Sequence, residues 1–124
     1  VCYIFPTAIL VSFKLIRKYY LQFIKSNKDF SINIKKFDHP IERAFKIKNK
    51  KLLPTNKKKF HLRTQDISES YYDSGEIYFA KKESFSKNKK LFKSKIKFIF
   101  SESKNVDLDN KKDLLKLKEY KKNY

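Results

Sequence analysis

A short apolar run, a cappable amphipathic stretch and an alternating run follow one another within the first 35 residues, and that order constrains the fold more than anything else in the chain. Residues 1–5 (V-C-Y-I-F) are almost continuously apolar and are stopped by Pro6, the pattern of a strand buried on both faces in a parallel sheet. Ser12 precedes a stretch reaching about Lys25 in which Leu15, Ile16, Tyr19, Tyr20, Phe23 and Ile24 share one face at helical spacing, so its hydroxyl is placed to cap a helix. From residue 29 to 35 the pattern alternates, with Phe30, Ile32 and Ile34 on one side and Ser31 and Asn33 on the other, which reads as a strand. Strand, capped helix and strand form a βαβ unit, and such units build layered α/β sheets.

The middle of the chain is different. Between residues 37 and 60 the apolar residues thin out, Pro40 and Pro54 interrupt, and residues 41–48 offer at most one strand or short helix before a basic stretch at 48–59. Such a segment reads as a linker, or as an arm that completes its core against another subunit. Pattern returns at 75–80 (G-E-I-Y-F-A) as a strand, at 83–90 as a short polar helix or turn, and at 96–100 (I-K-F-I-F) as another strand. A closing helix begins near Asp109 or Asn110, with Leu114, Leu115, Leu117 and Tyr120 as its apolar positions. The 124 residues allow one domain at most.

Charge points first to polyanions. The chain carries 31 Lys+Arg against 13 Asp+Glu, a formal +18, and such a field attracts nucleic acid. Yet only Arg17, Arg43 and Arg63 among the basic residues are arginines, whereas planar, bidentate recognition of phosphates and bases favours arginine. Lys, Ile, Asn, Phe and Tyr, all encoded by AT-rich codons, dominate the composition, so drift in an AT-rich genome accounts for most of the lysine and nucleic acid is not the expected partner. A single Cys2 excludes an internal disulfide framework, and no stretch approaches the roughly 18 uncharged apolar residues of a membrane span. A soluble, cytoplasmic protein is expected. No Met is present and the chain starts abruptly in an apolar run, the expected look of a fragment or a processed chain.

Few residues are placed for chemistry. Gly75 is the one glycine, which points to a backbone position needing positive φ or close approach, most simply the tight turn into the following strand. Arg63, Gln65, Asp66, Tyr71, Tyr72 and Asp73 concentrate donors, acceptors and rings just before it. Asp107 and Asp109 flank Leu108; in an extended stretch they project to one side, a spacing that suits Mg²⁺ shared with substrate phosphates, although one of them capping the closing helix is the simpler account. His39 and His61 have no metal-ligand spacing with each other or with Cys2, and Cys2 within an apolar strand reads as a buried, inert thiol. With one glycine, no Gly-rich phosphate loop can be built.

Four blocks, V-C-Y-I-F-P-T-A-I-L (1–10), F-D-H-P-I-E-R-A-F-K-I (37–47), R-T-Q-D-I-S-E-S-Y-Y-D-S-G-E-I-Y (63–78) and V-D-L-D-N-K-K-D-L (106–114), resemble in order and spacing successive blocks of the acylneuraminate cytidylyltransferases. The pseudaminic acid cytidylyltransferase branch is the nearer likeness, since Ser74 before Gly75 matches its small residue where sialic acid members carry Asn. The resemblance covers nearly the whole chain but only the carboxy-terminal half of the family's domain.

That resemblance implies an α/β fold with a Rossmann-like nucleotidyltransferase sheet, one domain over residues 1–124, with a protruding dimerisation arm at about 42–60. It also implies a homodimer that transfers CMP from CTP to a nine-carbon keto sugar acid, releasing pyrophosphate, with Mg²⁺ as cofactor. On the matching positions, Asp107 and Asp109 fall on the metal-binding D-x-D pair, and Arg63, Gln65, Tyr72 and Asp73 fall in the block that lines the sugar-acid pocket. An arginine there suits a carboxylate, which makes Arg63 the expected partner of the sugar's. The A-R-x-G-S-K-R loop that grips CTP is missing from these residues, so the chain alone is expected to be inactive. A basic RNA-binding or ribosome-associated protein is the competing reading, and a decayed gene product a third.

Overall fold

The computed structural model describes residues 1–87, 90–104, 112, 113, 115, 118 and 119. The chain divides into two compact units, one of residues 1–34 with 73–124 and one of residues 35–72.

The first unit is built on a mixed four-stranded sheet, two of whose strands run past its bounds at residues 34 and 73. Its strands are β1 (Cys2–Ile4), β2 (Phe30–Lys36), β5 (Tyr71–Ala80) and β6 (Ile96–Phe100), in spatial order β1-β5-β2-β6. β1 runs antiparallel to β5, pairing Cys2 with Phe79 and Ile4 with Ile77. β2 runs parallel to β6, pairing Phe30 with Ile96 and Asn33 with Ile99. Between β5 and β2 the Lys81 N–H donates to the Asp29 carbonyl and the Ser74 hydroxyl to the Asn33 carbonyl; positions rise on one strand as they fall on the other, so this pair is antiparallel.

Helix α1 (Phe13–Lys25) follows the expected span. Ser12 is extended (φ −77°, ψ 155°) and its Oγ accepts the Leu15 N–H at 3.3 Å, satisfying one of the donors a helix start leaves unpaired. The helix stops at Ser26, and Asn27 turns away at φ 50°. Tyr19 and Phe23 point from α1 into a core completed by Ile77, Phe79 and Ile99, with Val11, Leu15 and Ile16 packed around it. The Phe23 and Phe79 rings stack at 5.8 Å. Each large side chain buried this way contributes about 1.5–3 kcal/mol, and no helix among the described residues is long and apolar enough to cross a membrane.

Two expectations are corrected here. The βαβ unit forms, but β5 inserts antiparallel between its two strands, so residues 1–5 give not a strand buried on both faces but an edge strand whose Cys2, Tyr3 and Ile4 are exposed. Cys2 is accordingly exposed rather than buried, although partial burial still pushes its thiol pKa up. Continuous apolar runs mark central strands only when both faces are covered.

Gly75 does have positive φ, +61°, but it lies inside β5 rather than at its start. A Cβ built there meets nothing within 4 Å, so the glycine is required by backbone conformation and not by close approach. The Asp73 carboxylate accepts the Gly75 N–H at 3.0 Å and fixes the local turn. Gly75→Ala should therefore cost about 1–2 kcal/mol from the left-handed backbone alone, while Gly75→Asn, which tolerates that region, should cost less; urea unfolding of the two variants distinguishes them.

The second unit carries β3 (Phe45–Lys48) and β4 (Lys51–Pro54), an antiparallel hairpin in place of the single strand or short helix expected. Asn49 (φ 51°) and Lys50 (φ 59°) form its two-residue loop, the doubly left-handed geometry that matches strand twist. A lysine in the second position is what hid the turn, since glycine is the usual signal there. The register places Phe45 opposite Pro54 and Ile47 opposite Leu52, and Lys48 opposite Lys51. One hairpin face is thus apolar and the other mainly cationic. The Phe60 ring packs on Phe45 at 5.1 Å, and the Arg43 guanidinium donates to the Leu62 carbonyl at 2.9 Å.

Candidate functional site

Within residues 35–72 the chain folds back so that residues 36–40 face residues 64–70 across a cleft of about 310 Å³. One wall is Lys36, Phe37, Asp38, His39 and Pro40; the other is Thr64, Gln65, Ile67, Ser68, Glu69 and Ser70. Local rules explain both walls. β2 ends at Lys36, and Pro40 caps a one-turn 3-10 helix, Ile41–Arg43. A second such turn, Thr64–Asp66, presents Gln65. The Phe37 N–H donates to the Ser70 carbonyl at 3.0 Å, tying the walls together. A neighbouring hollow of about 540 Å³ shares residues 37–40 and Thr64 and adds Ile41, Arg43 and Ala44.

Lys36 Nζ and the Glu69 carboxylate form an ion pair, and the Tyr71 hydroxyl donates to the other Glu69 oxygen at 2.6 Å. The hydrogen bond from Lys36, supported by that from Tyr71, holds the Glu69 pKa below its ordinary value. The same bond raises Lys36, and the bond to Glu69 raises the Tyr71 phenol. The cleft therefore carries a cation, carboxylates at Asp38 and Glu69, an imidazole, an amide and hydroxyls, a set able to hold a polyhydroxylated acid through several directed hydrogen bonds.

The expected site residues separate. Gln65 lines the cleft. Tyr72 is exposed with its ring 4.9 Å from that of Phe37, a cleft residue. Arg63 is exposed at the cap of the Thr64–Asp66 turn and is not among the residues lining the cleft. Asp73 belongs to the other unit, where its carboxylate takes the Gly75 N–H and the Tyr78 hydroxyl. Burial, followed by that bond to Asp73, pushes the Tyr78 phenol well up. Asp107 and Asp109 lie outside the described residues. Residue-by-residue reading missed Lys36, Asp38, His39, Ser68, Glu69 and Ser70; the only signal was their place in or beside the F-D-H-P and R-T-Q-D-I-S-E-S blocks.

Comparison with known proteins bears on the same region. No protein-family profile matches the chain. Two curated proteins are similar to it, the pseudaminic acid cytidylyltransferases of Campylobacter jejuni subsp. jejuni serotypes O:23/36 and O:2. Each is 28% identical over 116 residues, which is 92% of this chain and 50% of the relative. The chain spans about half the length of the curated relatives it matches. A likeness of this extent supports the cytidylyltransferase resemblance carried by the four sequence blocks.

Proposed function

We propose that the chain serves the transfer of CMP from CTP to a nine-carbon keto sugar acid of the pseudaminic or sialic acid type, and that the cleft of residues 36–40 and 64–70 receives the sugar acid. The observation that carries this reading is the 28% match over 92% of the chain to two pseudaminic acid cytidylyltransferases, reinforced by Gln65 lining a polar cleft. In such a transfer the anomeric hydroxyl of the sugar attacks the α-phosphorus of CTP and gives up its proton to solvent, the bond from that phosphorus to the bridging oxygen breaks, and pyrophosphate leaves. Gln65 and the surrounding hydroxyls orient the sugar by hydrogen bonds, which lowers the barrier by holding the reacting oxygen in place.

Asp107 and Asp109 are proposed to hold Mg²⁺; two carboxylates with substrate phosphates form a hard-oxygen donor set. Bound there, the ion would supply positive charge to the phosphate oxygens. The apolar face of the β3–β4 hairpin, with Ile47 79% and Leu52 59% exposed, is proposed to be a homodimer contact.

Binding tests this directly, because the 124 residues contain no A-R-x-G-S-K-R block and the chain alone is expected to form no CMP-sugar. Titrated with pseudaminic acid or N-acetylneuraminic acid, its amide spectrum should shift at Gln65 and the adjoining residues. Gln65→Ala should weaken binding by about tenfold, the loss of one to two hydrogen bonds. Absence of any shift with both sugars overturns the reading.

A further inference from the structure

We infer that Lys36, rather than Arg63, is the group that receives the carboxylate of the bound acid, and that Glu69 holds its place until the ligand arrives. This rests on the sugar-acid reading of the cleft. The position of the two cations is decisive. Lys36 lines the cleft and pairs with Glu69 beside the Phe37–Ser70 hydrogen bond that joins the two walls, whereas Arg63 caps the 3-10 turn that carries Gln65 and is not among the residues lining the cleft.

The Lys36–Glu69 pair already shows the interaction a ligand would reproduce, an ammonium bonded to a carboxylate beside a cleft whose lining includes Thr64, Ser68 and Ser70. Both side chains remain 56% exposed, and an ion pair so open to water is held weakly, because solvent screens it and two long side chains must be kept ordered. An incoming carboxylate can therefore displace Glu69. The displaced Glu69 keeps its hydrogen bond from the Tyr71 hydroxyl, so the exchange strands no charge.

The ligand class follows. A monocarboxylate with several hydroxyl or amide groups matches one cation, the Gln65 amide and the hydroxyls of Thr64, Ser68 and Ser70. A cleft of about 310 Å³ lies at the lower end of the roughly 300–1,000 Å³ of small-molecule sites.

The test uses the full 124-residue chain with N-acetylneuraminic acid and its methyl ester, which lacks the charge, as probes in calorimetric or NMR titrations. Wild type should prefer the acid. Lys36→Met should lose about tenfold or more of the affinity for the acid and leave the weak ester binding unchanged, as expected for one charge-assisted bond. Lys36→Arg should restore most of it, Glu69→Gln should tighten the acid severalfold, and Arg63→Met should change it by less than about twofold. Amide spectra of each variant confirm the fold. Preference for the acid that survives Lys36→Met but disappears in Arg63→Met overturns this inference while leaving the proposed function standing. No binding of either probe by wild type overturns both.

Discussion

Replacing Tyr19 with alanine is expected to remove about 3–5 kcal/mol of stability, the range for deleting a large aromatic side chain from a packed core. Tyr19 is 0% exposed and sits where α1 meets Ile77, Phe79 and Ile99. It has a second task, because its hydroxyl accepts the Glu102 N–H at 2.7 Å and so ties the chain beyond β6 to the helix. Tyr19→Phe keeps the packing and leaves that N–H without its partner, a loss of about 1 kcal/mol. Urea denaturation followed by tryptophan-independent circular dichroism separates the two. A Tyr19→Ala variant as stable as Tyr19→Phe would show that the helix is not held by this ring.

The second large effect has the opposite sign. Asn33 is fully buried in β2, in register with Ile99 of the core, and neither its amide nitrogen nor its amide oxygen has a hydrogen-bond partner. Ser31 Oγ on the same strand is in the same condition. A buried amide without compensation costs roughly 1–3 kcal/mol on mutational scales, so Asn33→Val, with a β-branched side chain suited to a strand, should raise stability by about that amount. A rise in the urea midpoint with unchanged slope checks it. A fall would reveal a trapped water bridging the amide, since buried waters satisfy polar atoms that protein groups leave unpaired.

These two residues also show what was legible. Tyr19 belonged to a helical stripe beginning after a capping serine, and period, cap and end all agreed, so α1 was readable almost to the residue. Asn33 followed the strand alternation correctly, but alternation assigns polar side chains to water, and α1 covers that face. Which sheet face is covered depends on contacts distant in sequence. For the same reason residues 1–5 looked central yet form an edge: nothing local announces that β5 will slip between β1 and β2. The hairpin was hidden by its Asn-Lys loop and by lysines that mask the apolar alternation. In the cleft, Gln65 was found through its block, whereas Lys36 and Glu69, 33 positions apart, become a pair only when residues 36 and 69 meet across two walls. Arg63 came from the same block as Gln65, and at the cap of the Thr64–Asp66 turn it stands exposed.

The two-residue loop at Asn49 and Lys50 has a consequence for how such a segment can change over time. Side chains of a strand alternate, so adding or removing one residue in the loop would exchange the faces of everything beyond it. Leu52 and Pro54 would trade places with Lys51 and Leu53, setting a charge against Ile47 and breaking the apolar stripe. Point substitutions on the cationic side leave that stripe intact. The hairpin can therefore absorb much alteration in letters and almost none in length, and lysine could accumulate around it while its spacing stayed fixed.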